Sequence, residues 1–183
     1  MERTPTPLSG VMLIQPVVHR DARGLFLEIH HTDRYRDAGL DVVFVQDNLS
    51  CSRRGVLRGL HFQSPCPQGK LVMVLRGDIT DVIVDIRRGS PTFGQHLALR
   101  MTADAHQQLW IPPGLAHGFV VHSDTADVLY KCTERYRPDA QRAIRWDDPD
   151  LGIDWGISDP ILSPRDAAAP PLSALTDLPR WMP

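Results

Sequence analysis

The sequence predicts an all-β chain. It reads as a sandwich or barrel of ten or so short strands, with one short helix near the N-terminus and an irregular C-terminal tail packed back over the sheets. Three observations predict this. Apolar runs of four to eight residues, rich in Val, Ile and Leu, recur between residues 11 and 146 and are too short for helices. Thirteen glycines and sixteen prolines punctuate the 183 residues, which is above average usage and favours many turns. The runs do not alternate with long helical stretches, as a doubly wound sheet would require.

In chain order, the first strands are expected at 11–17 and 25–29. A helix follows. Thr32 is placed to cap it, Asp33 complements its N-terminal dipole, and Gly39 ends it. Strands are then expected at 42–45, 56–62, 71–75 and 79–86. Between the last two, Arg76-Gly77-Asp78 reads as a hairpin turn with Gly77 supplying a positive φ. Further strands are expected at 96–99, 108–111, 118–121, 128–132 and 144–146. From about Asp147 the character changes, because Pro149, Pro160, Pro164, Pro170 and Pro171 forbid long regular elements. The same stretch holds Trp155, Ile157, Ile161 and Leu162, which are costly to leave in water, so the tail is expected to pack back.

Length gives one domain spanning 1–183, large enough to bury about two-thirds of the surface its unfolded chain would expose. A formal charge of −2 and a pI near 6.4 argue against general binding to nucleic acid or to anionic membranes. Cys51, Cys66 and Cys132 are odd in number and widely spaced, with no C-x-x-C, so reduced cysteines in a cytoplasmic protein are the expectation. The N-terminus lacks the apolar core of a signal peptide, and no apolar run approaches the ~18 residues needed to cross a bilayer.

Two segments carry candidate chemistry. Gly55-Val56-Leu57-Arg58-Gly59-Leu60-His61-Phe62-Gln63 is followed by Gln68-Gly69-Lys70-Leu71-Val72. Further on stands Gln108-Leu109-Trp110-Ile111-Pro112-Pro113-Gly114-Leu115-Ala116-His117-Gly118-Phe119. A histidine inside an apolar strand is most often a satisfied core residue. Two of them with Lys70 are a different matter, since buried ionisable groups need partners or altered pKa values and cluster at sites. The segments resemble degenerate versions of the two cupin motifs, which implies a cupin-like (jelly-roll) β-barrel. The position where a metal-binding cupin needs its second histidine is Gln63, and no Glu follows in that segment, so a cage of three or four ligands is not available. The expectation is acid/base chemistry without a metal or other cofactor.

Eleven ordered motifs then resemble the dTDP-4-dehydrorhamnose 3,5-epimerase family over about residues 10–172. They are Asp21-x-Arg23-Gly24-x-Phe26-x-Glu28, Val45-Gln46-Asp47-Asn48, Leu57-Arg58-Gly59-Leu60-His61-Phe62-Gln63, Gln68-Gly69-Lys70-Leu71-Val72, Asp81-Val82-x-Val84-Asp85-Ile86-Arg87, Ser90-Pro91-Thr92-Phe93-Gly94, Leu109-Trp110-Ile111-Pro112, Ala116-His117-Gly118-Phe119, Tyr130-Lys131, Leu151-Gly152-Ile153-x-Trp155 and Leu162-Ser163-x-x-Asp166. The resemblance implies deprotonation and reprotonation at C3 and C5, the carbons flanking the ketone of a dTDP-linked 4-keto-6-deoxyhexose. That chemistry needs a base, an oxyanion stabiliser and an acid on the far face of the ring.

By the same resemblance, His61 matches the base, Asp166 its carboxylate partner, Lys70 the stabiliser of the enolate oxygen and Tyr130 the acid. Alternation along the strand places Cys132 beside Tyr130. Arg23, Phe26, Glu28, Gln46, Asp47, Asn48, Arg58, Gln141 and Arg165 match the nucleotide end, where Arg suits a pyrophosphate, and His117 matches a position near the sugar. Gln141 stands where the family has Glu, and Arg165 where Lys is usual. The resemblance further implies a homodimer in which Arg23 and Glu28 complete the partner's nucleotide site. Other readings are an epimerase acting at C3 alone or C5 alone, a metal-dependent cupin oxygenase and a catalytically silent sugar-nucleotide-binding module.

Overall fold

The computed structural model describes residues 1–182. Its strands are β1 (Glu2–Pro5), β2 (Met12–Gln15), β3 (Val18–Asp21), β4 (Gly24–Leu27), β5 (Gln46–Arg53), β6 (Leu57–Gln63), β7 (Lys70–Arg76), β8 (Asp78–Asp85), β9 (His96–Thr102), β10 (Gln108–Ile111), β11 (Leu115–Val121), β12 (Thr125–Cys132) and β13 (Gln141–Ala143). Two small helices, α1 (Thr32–Asp37) and α2 (Pro164–Ala167), accompany them. A six-stranded sheet in the order β1-β2-β10-β7-β12-β5 faces a five-stranded sheet in the order β13-β6-β11-β8-β9, and β3 and β4 form a separate hairpin. The two sheets share no ladder among the described residues. The all-β, cupin-like fold expected is therefore present as a sandwich of two facing sheets with open edges, not closed into a barrel.

Alternation along each strand divides the apolar side chains into three layers. Between the sheets, Val72 and Val74 of β7 and Val128 of β12 meet Ile79 and Ile83 of β8 and Phe119 and Val121 of β11. On the outer face of the five-stranded sheet, Val82, Val84, Ile86 and Val120 are covered by Leu151, Trp155 and Leu172 of the tail. On the outer face of the six-stranded sheet, Ile14, Leu71 and Trp110 are covered by Tyr35 and Leu40. The tail packs back as expected, with Ile157 and Leu162 at its margin, but Ile161 is 43% exposed. Its backbone is what matters: it donates to Gly55 O at 2.8 Å and accepts from Leu57 N at 3.1 Å, which ties the segment before α2 to the start of β6. No helix among the described residues is long and apolar enough to cross a membrane.

Several expectations about local structure are corrected. Arg76-Gly77-Asp78 is not a hairpin: β7 and β8 lie in different sheets, and Gly77, at φ +83°, turns the chain from one to the other. A Cβ on Gly77 would lie 2.2 Å from Thr125 O, so the corner requires glycine for space as well as for φ. His31, not Thr32, caps α1, its ring accepting from Arg34 N, while Gly39 ends the helix with φ +83° as expected. Residues 42–45 form no strand, and the strand expected at 144–146 is β13, three residues earlier. β1, β3 and β5 lacked apolar runs and were not expected.

Candidate active site

The cleft opens between the two sheets at the end where β6, β7, β12 and β5 converge. From the five-stranded sheet come Arg58 and His61 of β6, His117 and Phe119 of β11 and Gln141 of β13. From the six-stranded sheet come Lys70, the first residue of β7, Tyr130 of β12, and Gln46 and Asn48 of β5. These residues line two adjoining cavities of about 270 and 280 Å³, which share His61, Lys70, Tyr130, Tyr136 and Gln141. His61 and His117 are register partners across β6 and β11. The two strands come unusually close just beyond them. A Cβ on Gly59 would lie 2.5 Å from Gly118 Cα, and the register slips between His117 and Phe119. Glycine at 59, with φ +129°, is what lets the histidine pair sit against this irregularity.

His61 Nε2 lies 2.5 Å from Asp166 Oδ1. The carboxylate is delivered by α2. Ser163 caps the helix by accepting from Asp166 N at 3.1 Å, and Pro164 follows the cap in the first turn, a usual helix-start arrangement. Burial alone would raise the Asp166 carboxyl, but hydrogen bonds from His61, from Ser163 and from the Gly59 backbone outweigh it and hold it below the ordinary carboxylate value. An ionised carboxylate can only accept, so Nε2 donates to it, and in the neutral imidazole the lone pair is left on Nδ1.

Across the cleft, Tyr130 pairs in register with Asn48, and Cys132 with both Gln46 and Lys70. Burial pushes the Tyr130 phenol up, reinforced by Cys132, with Arg58 acting against it. Lys70 is buried and has no ion-pair partner among the described residues. Burial pushes its ammonium down, while Cys132 and Asp81 pull the other way. Asn48 Nδ2 donates to Cys132 Sγ at 3.4 Å, and Gln46 Nε2 to Asn48 Oδ1 at 2.9 Å, which fixes the amides of β5. His117 Nε2 stands 3.0 and 2.9 Å from the two oxygens of fully buried Asp81. At the rim, Gln141 Oε1 accepts from Tyr136 Oη and Arg165 Nη1, each at 2.6 Å. Arg58 Nε donates to Ser52 Oγ at 3.0 Å, leaving the rest of its guanidinium toward the cleft.

The structure thus brings together His61, Asp166, Lys70, Tyr130, His117, Gln46, Asn48, Arg58, Gln141 and Arg165. It does not bring in Asp47, Arg23, Phe26 or Glu28. Asp47 lies on the opposite face of β5 from Gln46 and Asn48, and its carboxylate pairs with Lys131 at 2.7 Å. Arg23, with 90% of its side chain exposed, pairs with Asp21, and Glu28 pairs with Arg34; with Phe26 they belong to the β3–β4 region, outside the cleft. Asp81, Phe119 and Tyr136 were not singled out for a role from the sequence. Asp81 offered a signal, a carboxylate in the middle of the strand pattern at 79–86. Gln63 turns both ends of its amide away from any ligand role, donating to Cys66 O and Arg135 O and accepting from Arg137 N. It thereby anchors the loop that carries Tyr136. Among the described residues no three His, Cys, Asp or Glu side chains converge as metal ligands.

The family model for dTDP-4-dehydrorhamnose 3,5-epimerase matches residues 5–174. The chain is 49% identical over 170 residues to the dTDP-4-dehydrorhamnose 3,5-epimerase of Methanothermobacter thermautotrophicus, covering 91% of this chain and 92% of that one. It superposes with a TM-score of 0.96 and 46% identity on the dTDP-6-deoxy-D-glucose-3,5-epimerase of Legionella pneumophila, solved with dTDP-4-keto-L-rhamnose, covering 100% and 99% of the two chains. With a TM-score of 0.91 and 37% identity, covering 96% and 92%, it also matches a 3′-monoepimerase of Streptomyces bikiniensis solved with dTDP-quinovose. Matched along nearly its whole length in sequence and in backbone, the chain belongs to the dTDP-4-dehydrorhamnose 3,5-epimerase family.

Proposed function

We propose that the chain epimerises dTDP-4-dehydro-6-deoxy-D-glucose to dTDP-4-dehydro-L-rhamnose, inverting C3 and C5 next to the ketone. The observation that carries this reading is one cleft lined by His61, oriented by buried Asp166 at 2.5 Å, from one sheet and by Tyr130 and Lys70 from the other. His61 Nδ1 takes the proton from the carbon next to the ketone. The negative charge moves to the ketone oxygen, where Lys70 in its protonated form stabilises the enolate. Tyr130 returns a proton to the other face, and the carbon is inverted. Solvent then takes the proton from His61 and returns one to Tyr130, and the second carbon reacts in the same way. Arg58, Gln46, Asn48 and the Arg165–Gln141–Tyr136 cluster bind the nucleotide end, where no glycine-rich phosphate loop exists.

The reading is tested by incubating the protein with dTDP-4-keto-6-deoxyglucose in D₂O and counting deuterium at C3 and C5 by NMR. Exchange at both is the expected result. Exchange at C3 alone would assign the chain the narrower reaction, which its likeness to a 3′-monoepimerase keeps as the second reading; no exchange would reject both. Dialysis against EDTA beforehand is expected to leave the rate unchanged, because Asp166 occupies His61 and Gln63 is no ligand. A loss restored by one divalent metal alone would favour metal-dependent chemistry instead.

The same proposal includes a homodimer. The hairpin β3–β4 joins neither sheet and holds Phe26 70% exposed, beside Arg23. Leu49 and Leu75 stand exposed on the outer face of the six-stranded sheet, and Val45 is exposed just before β5, apolar area that pairing of two copies would remove from water. Arg23 and Glu28 then act at the partner's cleft. Light scattering is expected to give a dimer. Refolding Arg23→Ala together with His61→Asn is expected to restore about a quarter of the wild-type sites, since half the dimers are mixed and each has one intact site. A fully active monomer would overturn this part of the reading.

A further inference from the structure

The epimerase reading supplies the chemistry on which this inference rests. The inner cavity is walled by Arg58, His61, Lys70, His117, Tyr130 and Phe119, with Tyr136 and Gln141 at its rim. All of these except Phe119 carry a polar group. Phe119 lies two residues beyond His117 on the same inward face of β11, with the ring centroids 6.4 Å apart. It is held in place by the layer between the sheets, and in register it stands opposite Arg58 on one side and Asp81 on the other.

A 4-keto-6-deoxyhexose has one matching feature. C1 bears the nucleotide oxygen, C2 and C3 bear hydroxyls, C4 is the ketone and the ring closes through oxygen. C6, a methyl, is the only all-carbon substituent. It is attached to C5, a reacting carbon, so it must enter the cavity that holds His61, Lys70 and Tyr130. A methyl against a carbon wall gains burial, whereas a hydroxyl there would lose its water without a partner. We propose that Phe119 is a specificity-determining residue: its ring receives the C6 methyl and selects 6-deoxyhexoses.

The test compares dTDP-4-keto-6-deoxyglucose with the corresponding dTDP-4-keto-pentose, which lacks C6. The readout is kcat/KM for deuterium exchange at C3, a carbon both substrates have. One methyl in an apolar site is worth about 10–200-fold, so the wild-type protein is expected to prefer the hexose by that factor. Phe119→Leu is expected to narrow the preference and Phe119→Ala to bring it near unity. Because both substrates are measured on one preparation, loss of folded protein cancels in the ratio. A wild-type protein with no preference, which needs no variant to measure, would overturn the assignment, as would variants that keep the wild-type ratio. Absence of exchange with either substrate in the wild-type protein would instead overturn the epimerase reading, and this inference with it.

Discussion

His61→Asn is expected to abolish solvent exchange at C3 and at C5 together. Asparagine is shorter and its amide nitrogen overlaps Nδ1 rather than Nε2, but the buried carboxylate keeps its hydrogen bonds from Ser163 and the Gly59 backbone, so the fold should survive. What disappears is the imidazole lone pair, and an amide is no base at neutral pH. Because His61 is the only base invoked for either carbon, the two rates should fall together, by at least the roughly 10²–10⁴-fold that one general base contributes. NMR of the recovered sugar in D₂O reads both positions at once. If C3 continues to exchange while C5 stops, a second base serves C3, and the obvious group to examine is His117, whose ring faces the same cavity with Asp81 behind it. Thermal melting that matches the wild-type protein would confirm that the loss lies in the chemistry.

How much of this site can be read from sequence depends on the kind of signal each residue leaves. His61, Lys70 and His117 announce themselves, because an ionisable side chain inside an apolar strand pattern conflicts with burial unless something compensates. Asp166 leaves no such trace. It sits in a short polar segment 105 residues from His61, and only the family resemblance pointed to it; the structure then shows a capped single turn aiming it at the imidazole. β5 is the instructive failure. Its sequence, Gln-Asp-Asn-Leu-Ser-Cys-Ser-Arg, has no apolar run, yet it pairs with β12 along its whole length. Its inward face is polar because that face lines the cleft, so the functional demand erased the periodic signal. Alternation would have corrected one assignment. Asp47 lies between Gln46 and Asn48, and three successive strand residues cannot all face one side. Residues 42–45 err in the opposite sense, being apolar without forming a strand, with Val43 largely exposed. The corner at Gly77 shows a further limit: a glycine between two apolar runs looks the same whether the runs pair with each other or belong to opposite sheets.

Tyr130→Phe should separate proton removal from inversion. The substitution keeps the ring that packs against the layer between the sheets and removes only the hydroxyl. His61 can still take a proton and, once it has exchanged with solvent, give a deuteron back to the same face. Deuterium should therefore appear in substrate of unchanged configuration, while inversion falls by roughly 10²–10⁴-fold. The pH profile supplies a second check. Burial raises the Tyr130 phenol above its ordinary value, which moves its titration to higher pH. Burial lowers the Lys70 ammonium, which moves the loss of its proton, and with it the stabilisation of the enolate, to lower pH. The alkaline fall in exchange rate thus belongs to Lys70 and is expected to persist unchanged in Tyr130→Phe. If the variant inverts at the wild-type rate, water or another side chain is the acid. If its alkaline limb disappears, the limb was the titration of Tyr130 itself, and its assignment to Lys70 is wrong.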